Sequence, residues 1–174
     1  MKIIKTKFKD LYIIKKKKII DNRGFFAREF CEKKLQKINF KIKQINISSN
    51  KKKHTLRGFH YQVKPYDEAK ILKCLSGKIY NVSIDLRKKS KTYLKQYSIY
   101  LSENDNKSLL VPKGFANCYL TLKNNTKILY FMSNFYKRKS SKSIRYNDKF
   151  FSVRWPVKPK VISKKDLNIK DFNG

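Results

Sequence analysis

Hydrophobic and polar side chains alternate in short runs through most of this chain, and turn residues interrupt the runs every few positions. Residues 78–86 (KIYNVSIDL) show the pattern best, with the period of two of a β-strand. Tyr80, Val82, Ile84 and Leu86 share one face, and Ile79, Asn81, Ser83 and Asp85 share the other. The polar second face is expected to meet solvent. Residues 42–48 (IKQINIS) alternate in the same way, Ile42, Gln44 and Asn46 opposing Lys43, Ile45 and Ile47. Further strands are expected over 56–62, 70–75, 96–101, 109–111, 115–122 and 127–132, with Ser76-Gly77 and Asn124-Asn125 as turns. Residues 11–20 (LYIIKKKKII) read as two short strands or one bent edge strand, the lysine run guarding against edge pairing. Only residues 29–38 (EFCEKKLQKI), with Phe30, Leu35 and Ile38, have helical spacing. A mainly β sandwich or barrel, jelly roll included, follows from so many short strands.

Composition narrows the class. A length of 174 residues fits one domain over 1–174. Hydrophobic content of 40% and aromatic content of 14% exclude a disordered chain. The formal charge of +32 invites a nucleic-acid reading, but lysine far outnumbers arginine, and Asn and Ile are abundant too. That joint excess is what an AT-rich genome produces, and sparse arginine argues against specific nucleic-acid recognition. The same field would draw in a small phosphorylated ligand. Cys31, Cys74 and Cys118 lack any CxxC spacing and point to free thiols in a reducing compartment. Lysines break up the apolar residues of 1–20, and no apolar run is long enough for a bilayer, so a cytoplasmic protein without membrane association is expected.

Chemistry concentrates in Leu56-Arg57-Gly58-Phe59-His60-Tyr61-Gln62. A fixed cation three residues before a histidine is the composition of an anion clamp beside a proton-transfer group. With only two histidines in the chain, a multi-histidine metal site is excluded and no metal is expected. Taken alone, His60 also reads as a packed strand histidine, Tyr130 as a core tyrosine, Lys70 as a solvated lysine and Asp166 as a tail residue. Spacing does not bring Asp166 to His60.

Taken together, the motifs resemble a known family. They run in order from Asp21-x-Arg23-Gly24-Phe25-Phe26 and Gln44-x-Asn46-x-Ser48 through Leu56–Gln62 to Glu68-Ala69-Lys70. Val82-x-Ile84-Asp85-Leu86-Arg87-x-x-Ser90-x-Thr92, Val111-Pro112-x-Gly114-Phe115-Ala116, Leu129-Tyr130 and Tyr136 follow. Asn147-Asp148, Trp155-Pro156 and Ser163-x-Lys165-Asp166 complete the set. Nearly the whole chain is similar to the nucleotide-sugar 3,5-epimerases, the dTDP-4-dehydrorhamnose 3,5-epimerase family. The resemblance implies a cupin-like jelly roll with a few short helical segments, working as a homodimer without metal or organic cofactor. It implies a nucleoside-diphosphate 4-keto-6-deoxy sugar as substrate, dTDP first and GDP or CDP as alternatives, in deoxysugar and surface-polysaccharide synthesis.

By position, the resemblance implies His60 as general base, Asp166 as its orienting acid, Tyr130 as the acid on the opposite face and Lys70 as the enolate's cation. Arg23, Arg57, Gln44 and Asn46, with Lys165, Tyr136, Phe26, Asn81 and Asn117, would contact the nucleotide sugar. These residue types suit the reaction. A proton next to a ketone is weakly acidic, so the developing oxyanion needs a positioned donor, and inversion needs an acid across the ring from the base.

The chain departs from that pattern in three places. Asn117 stands where the family's Gly-Phe-Ala-His motif has histidine, Asn81 where it has aspartate, and Arg28 where glutamate is frequent. The two asparagines keep hydrogen-bonding capacity and lose titratable groups, as if an Asp–His pair had become an amide pair. Epimerisation is expected to survive, with inversion at C3 only or C5 only, or another sugar, as an alternative outcome. A related ketoisomerase and a non-catalytic sugar-nucleotide or basic nucleic-acid binder are the competing functions.

Overall fold

The alternating segments pair into two antiparallel sheets packed against each other, in a computed structural model that describes residues 1–172. The first strands are β1 (Lys2–Lys5), β2 (Tyr12–Lys15), β3 (Lys18–Asp21) and β4 (Gly24–Ala27). Then come α1 (Glu32–Leu35), β5 (Gln44–Asn50), β6 (Leu56–Gln62), β7 (Lys70–Ser76) and β8 (Lys78–Asp85). The remainder are β9 (Gln96–Ser102), β10 (Lys107–Val111), β11 (Phe115–Thr121), β12 (Thr126–Met132), β13 (Ser141–Ser143) and α2 (Lys164–Leu167). One sheet has the order β1-β2-β10-β7-β12-β5, the other β13-β6-β11-β8-β9, and β3 and β4 form a separate hairpin. This is the cupin-like jelly roll.

The core between the sheets takes Leu72, Cys74, Leu109, Val111 and Ile128 from the first and Ile79, Leu101, Phe115 and Tyr119 from the second. Both outer faces are covered as well. Ile14, Ile71, Leu110 and Phe131 on the back of the first sheet are capped by Leu35 and Phe40. The C-terminal segment, with Ile144, Phe151 and Trp155, covers Leu56, Phe59, Val82 and Cys118 on the second. Gly77 carries the chain from one sheet to the other at φ +81°, where a Cβ would lie 2.3 Å from Thr126 Oγ1.

Two expectations change. The polar face of β8 does not meet solvent: Asn81, Ser83 and Asp85 are all 0% exposed and point between the sheets. A jelly roll encloses one face of every central strand, so a polar row there must find internal partners. The helix over 29–38 shrinks to the single turn of α1 followed by a 3-10 turn, Gln36–Ile38. Cys31 offers no capping bond, and Asn39 enters the left-handed region at φ 52° and ends the turn. On β5, Gln44 is half-buried whereas Ile45, Asn46 and Ile47 are all exposed, which is not simple amphipathicity.

The hairpin of β3 and β4 also breaks the rule, with Ile19, Ile20, Phe25 and Phe26 all exposed. Its root is fixed by Glu29, which accepts from the buried Lys16 and from Lys73 at 3.0 Å. Cys74 and Cys118 are buried free thiols, whereas Cys31 is half-buried. Among the described residues no helix is long and apolar enough to cross a membrane.

Candidate active site

The strand β6 owes its geometry to a bulge. Pairing with β11 puts Asn117 opposite His60 but Tyr119 opposite Arg57, so three steps on β6 match two on β11. Gly58 occupies this point at φ +126°, and a Cβ there would lie 2.5 Å from the Asn117 carbonyl oxygen. Strict alternation would send Arg57 and His60 to opposite faces. The bulge turns both into one pocket, while Leu56 and Phe59 pack on the outer side.

The pocket lies between the sheets in two adjoining parts of about 270 Å³ and about 450 Å³. Arg57, His60, Lys70, Asn117, Tyr119, Tyr130 and Asn46 line the smaller part. Gln44, Glu68, Tyr136 and Lys165 line the larger, which shares His60 and Lys70 with it.

His60 Nε2 lies 2.8 Å from Asp166 Oδ1. With the carboxylate accepting from Nε2–H, the lone pair of a neutral ring sits on Nδ1, free to take a proton. Asp166 reaches this place because the tail docks along β6, Leu56 N–H donating to the Val161 carbonyl at 2.8 Å. Ser163 then caps α2 by accepting from the Asp166 amide at 3.1 Å, which turns the acid inward. Burial acts to raise the pKa of Asp166, but the His60 bond and charge, Ser163 and the Gly58 amide outweigh it and hold it below the usual value.

Tyr130, on β12, belongs to the other sheet and stands beside Asn46 and Leu72 in register. Burial first, and then the neighbouring Tyr119, push its phenol well above the ordinary pKa, partly offset by the charge of Arg57. Lys70 is buried and pairs with Glu68 at 2.9 Å. Gln44 accepts from the Tyr136 amide at 3.3 Å and donates to Asn46 at 2.9 Å, and so ties the Tyr136 loop to β5.

Asn81 and Asn117 form a reciprocal amide pair, each Nδ2 3.0 Å from the other's Oδ1, and Ser83 donates to Asn117 Oδ1 at 2.7 Å. Asn81 is fully buried behind Asn117, so a ligand meets Asn117 and not Asn81. The expected Asn81 contact is therefore indirect. Arg23 and Phe26 are not in the pocket of their own chain either. They sit on the β3–β4 hairpin, where Arg23 pairs with Asp21 at 2.7 Å in full solvent and Phe26 is 68% exposed. Ser48, Asn50, Glu68 and Tyr119 surround the predicted residues without having been named as site residues, although Ser48 and Glu68 stand in the motifs. A signal existed for Tyr119, which shares a strand face with Asn117 two positions earlier.

An imidazole held by a carboxylate, a buried lysine and a phenol converge on one cavity, the imidazole and the phenol on facing sheets, and Arg57 and Lys165 add positive charge. Such a set can remove a proton from carbon on one face, stabilise an enolate and protonate on the other. Among the described residues no three His, Cys, Asp or Glu cluster as metal ligands would.

Comparison with known proteins gives the family. The sequence matches the dTDP-4-dehydrorhamnose 3,5-epimerase family over residues 5–174. It is 33% identical over 174 residues to the enzyme of that name from Shigella flexneri, covering 99% of this chain and 96% of the relative. A Bacillus anthracis dTDP-4-dehydrorhamnose 3,5-epimerase solved with TDP and pyrophosphate superposes with a TM-score of 0.94 at 32% identity, over 98% of this chain and 99% of that one. A Legionella pneumophila epimerase in complex with dTDP-4-keto-L-rhamnose gives 0.88 at 31% identity, over 95% and 89%. With both the sequence and the jelly roll matched from end to end, the chain belongs to the dTDP-4-dehydrorhamnose 3,5-epimerase family of isomerases.

Proposed function

We propose that this protein epimerises a dTDP-linked 4-keto-6-deoxy sugar by proton transfer through an enolate. The observation that carries the reading is the placement of His60 and Tyr130 on facing walls of one pocket with Lys70 beside them. His60, held by Asp166, takes the proton next to the C4 ketone. Lys70 stabilises the enolate oxygen. Tyr130 delivers its proton to the other face, and the stereocentre inverts. Arg57, with Lys165, Gln44 and Asn46, would hold the diphosphate and nucleotide. The dTDP moiety is favoured because the relatives are named for dTDP sugars and two are solved with TDP or a dTDP sugar.

Incubation with dTDP-4-keto-6-deoxyglucose in deuterated water, followed by NMR at C3 and C5, tests the reading. Deuterium at either carbon with inversion supports it. Absence of deuterium at both, repeated with the GDP and CDP sugars, removes it, and movement of the carbonyl instead identifies a ketoisomerase.

We further propose a homodimer, which supplies Arg23 and Phe26 to a pocket that their own chain does not give them. Supporting this are the exposed Ile19, Ile20, Phe25 and Phe26 of the hairpin and the exposed Ile45 and Ile47 of β5, the outermost strand of its sheet. Light scattering should give twice the chain mass, and Ile47→Lys should shift it toward the monomer; a monomeric wild type would end this part of the reading. A role in surface-polysaccharide synthesis follows the substrate, since a deoxysugar nucleotide is a glycosyl donor.

A further inference from the structure

Asn50, the last residue of β5, is 2% exposed and touches two residues that line the smaller part of the pocket. Its Nδ2 donates to the Thr126 carbonyl at 3.1 Å and to the Tyr119 hydroxyl at 3.2 Å, and its Oδ1 accepts from Arg57 Nε at 2.8 Å. Two of these partners leave no choice of orientation. A carbonyl can only accept and a guanidinium Nε can only donate, so the amide nitrogen faces Thr126 and the oxygen faces Arg57. The Tyr119 hydroxyl is held in turn by Ser48 Oγ at 2.8 Å. Asn50 and Thr126 pair in register in the first sheet, and Arg57 and Tyr119 pair in the second, so this amide cross-links the two walls.

Arg57 differs from the arginines that serve ion pairs. Arg23, Arg87 and Arg145 each meet an aspartate. Among the described residues no carboxylate pairs with Arg57 and neither of its Nη atoms has a hydrogen-bond partner, although the side chain is exposed along the pocket. Its anchor is a neutral oxygen, which fixes the guanidinium without cancelling its charge. The anchor also decides which edge remains. A guanidinium can grip an oxyanion as a fork through its Nε/Nη2 side or through its Nη1/Nη2 end. With Nε held by Asn50, the end is left.

We infer that Asn50 is a positioning residue for the anion clamp: its neutral amide holds Arg57 by Nε and turns the Nη1/Nη2 end, with its charge intact, toward a phosphate of the nucleotide. The inference rests on the reading of Arg57 as a phosphate contact. Asn50 itself meets no ligand. It sets the direction from which the phosphate approaches, along the Cζ–Nε axis from the side away from β5. Ser48 and Tyr119 brace the amide from the opposite wall.

Isothermal titration with dTDP tests this. Asn50→Ala removes the acceptor and should raise Kd about tenfold, and Arg57→Gln should raise it about 100-fold. In the Arg57→Gln background, Asn50→Ala should add less than about twofold. An amide that merely braces the sheets would cost the same factor in both backgrounds. Titration returns the stoichiometry apart from Kd, so misfolded protein lowers the first and leaves the second alone. Asn50→Asp keeps an oxygen for Nε but sets a full charge against the guanidinium. It should raise Kd about tenfold in the wild type and less than about threefold beside Arg57→Gln. An Asn50→Asp variant that binds dTDP as the wild type does overturns the claim that the anchor must be neutral.

A second readout is the Arg57 Nε–H resonance in NMR, assigned by its loss in Arg57→Gln. It should be protected from solvent exchange in the wild type with and without dTDP, and unprotected in Asn50→Ala. Loss of protection when dTDP binds the wild type would put the phosphate on the Nε side and overturn the inference. So would an unchanged Kd in Asn50→Ala, or a loss that is equal without Arg57. Arg57→Gln binding dTDP like the wild type removes the phosphate reading of Arg57 and this inference with it. Failure of the epimerase reading is separate: a protein with these binding effects and no deuterium at C3 or C5 loses that reading and keeps the clamp.

Discussion

Asp166 and His60 are 106 residues apart in the chain, yet Asp166 Oδ1 lies 2.8 Å from His60 Nε2. The acid is buried and the imidazole is partly open to the pocket, so the carboxylate is positioned to fix the ring and not to meet a ligand. Asp166→Asn should fold and bind dTDP, but the amide no longer secures the tautomer with its lone pair on Nδ1. Solvent exchange of the sugar protons should fall by about 100-fold or more, and His60→Asn should abolish it. Isothermal titration with dTDP beside NMR exchange separates the two effects. Undiminished exchange in His60→Asn would assign the base elsewhere.

The amide pair of Asn81 and Asn117 gives a second prediction. Asn117→His leaves a buried Asn81 amide with fewer partners and should cost about 2 kcal/mol in urea unfolding. Adding Asn81→Asp supplies an acceptor for the new ring and should recover at least about 1 kcal/mol of that loss. The same double variant introduces a titratable group next to His60. The ratio of deuterium at C3 to that at C5 should then shift from the wild-type value, and an unchanged ratio would mean that this pair does not set which carbon reacts.

Gly58 carries the bulge that aims Arg57 and His60. Gly58→Ala places a methyl group 2.5 Å from the Asn117 carbonyl and 2.6 Å from Cys118 Cα, both on backbone that cannot yield cheaply. With the positive φ added, the expected loss is about 3 kcal/mol in denaturant unfolding. Activity should fall further than the folded fraction does, because the two side chains lose their common direction.

Acid stability should depend on Asp85. This fully buried carboxylate takes Arg87 Nε and Nη2 at 2.8 Å each, Ser90 at 2.6 Å and Thr92 at 2.7 Å. Burial works to raise its pKa, but these bonds outweigh burial and leave it below the ordinary value. A depressed folded-state pKa contributes stability that is complete above the unfolded value, about 3.9, and lost as pH falls through the folded one. Asp85→Asn should therefore cost about 3 kcal/mol at pH 7, and its difference from wild type should narrow steadily below about pH 4. Urea midpoints at several pH values measure the gap. A gap that stays constant down to pH 2 would contradict the assignment.

Much of the fold was legible because a strand exposes its period locally. The eight-residue run of β8 and the Asn124-Asn125 turn need no partner to be seen. Which face lies inside is different, since it depends on what the rest of the chain packs against it. The row Asn81, Ser83, Asp85 looks solvent-facing until Asn117, Arg87, Ser90 and Thr92 arrive to satisfy it. The motif resemblance named His60, Tyr130, Lys70 and Asp166, but Tyr119 lay outside the motif residues and its partners Ser48 and Asn50 come from another strand.

The sequence by itself determined the strand-rich class, the family and the kinds of group available: one imidazole suited to base chemistry, a lysine, tyrosines and arginines. Tertiary structure alone decided their geometry. Alternation would have divided Arg57 from His60, and only the register slip against β11 joins them, because hydrogen bonding to a second strand fixes where the extra residue goes. It likewise carried Asp166 to His60 by docking the tail on β6. Arg23 and Phe26, by contrast, lie out on the separate β3–β4 hairpin. No local pattern encodes such distances, which arise when buried backbone and side chains must all find partners at once.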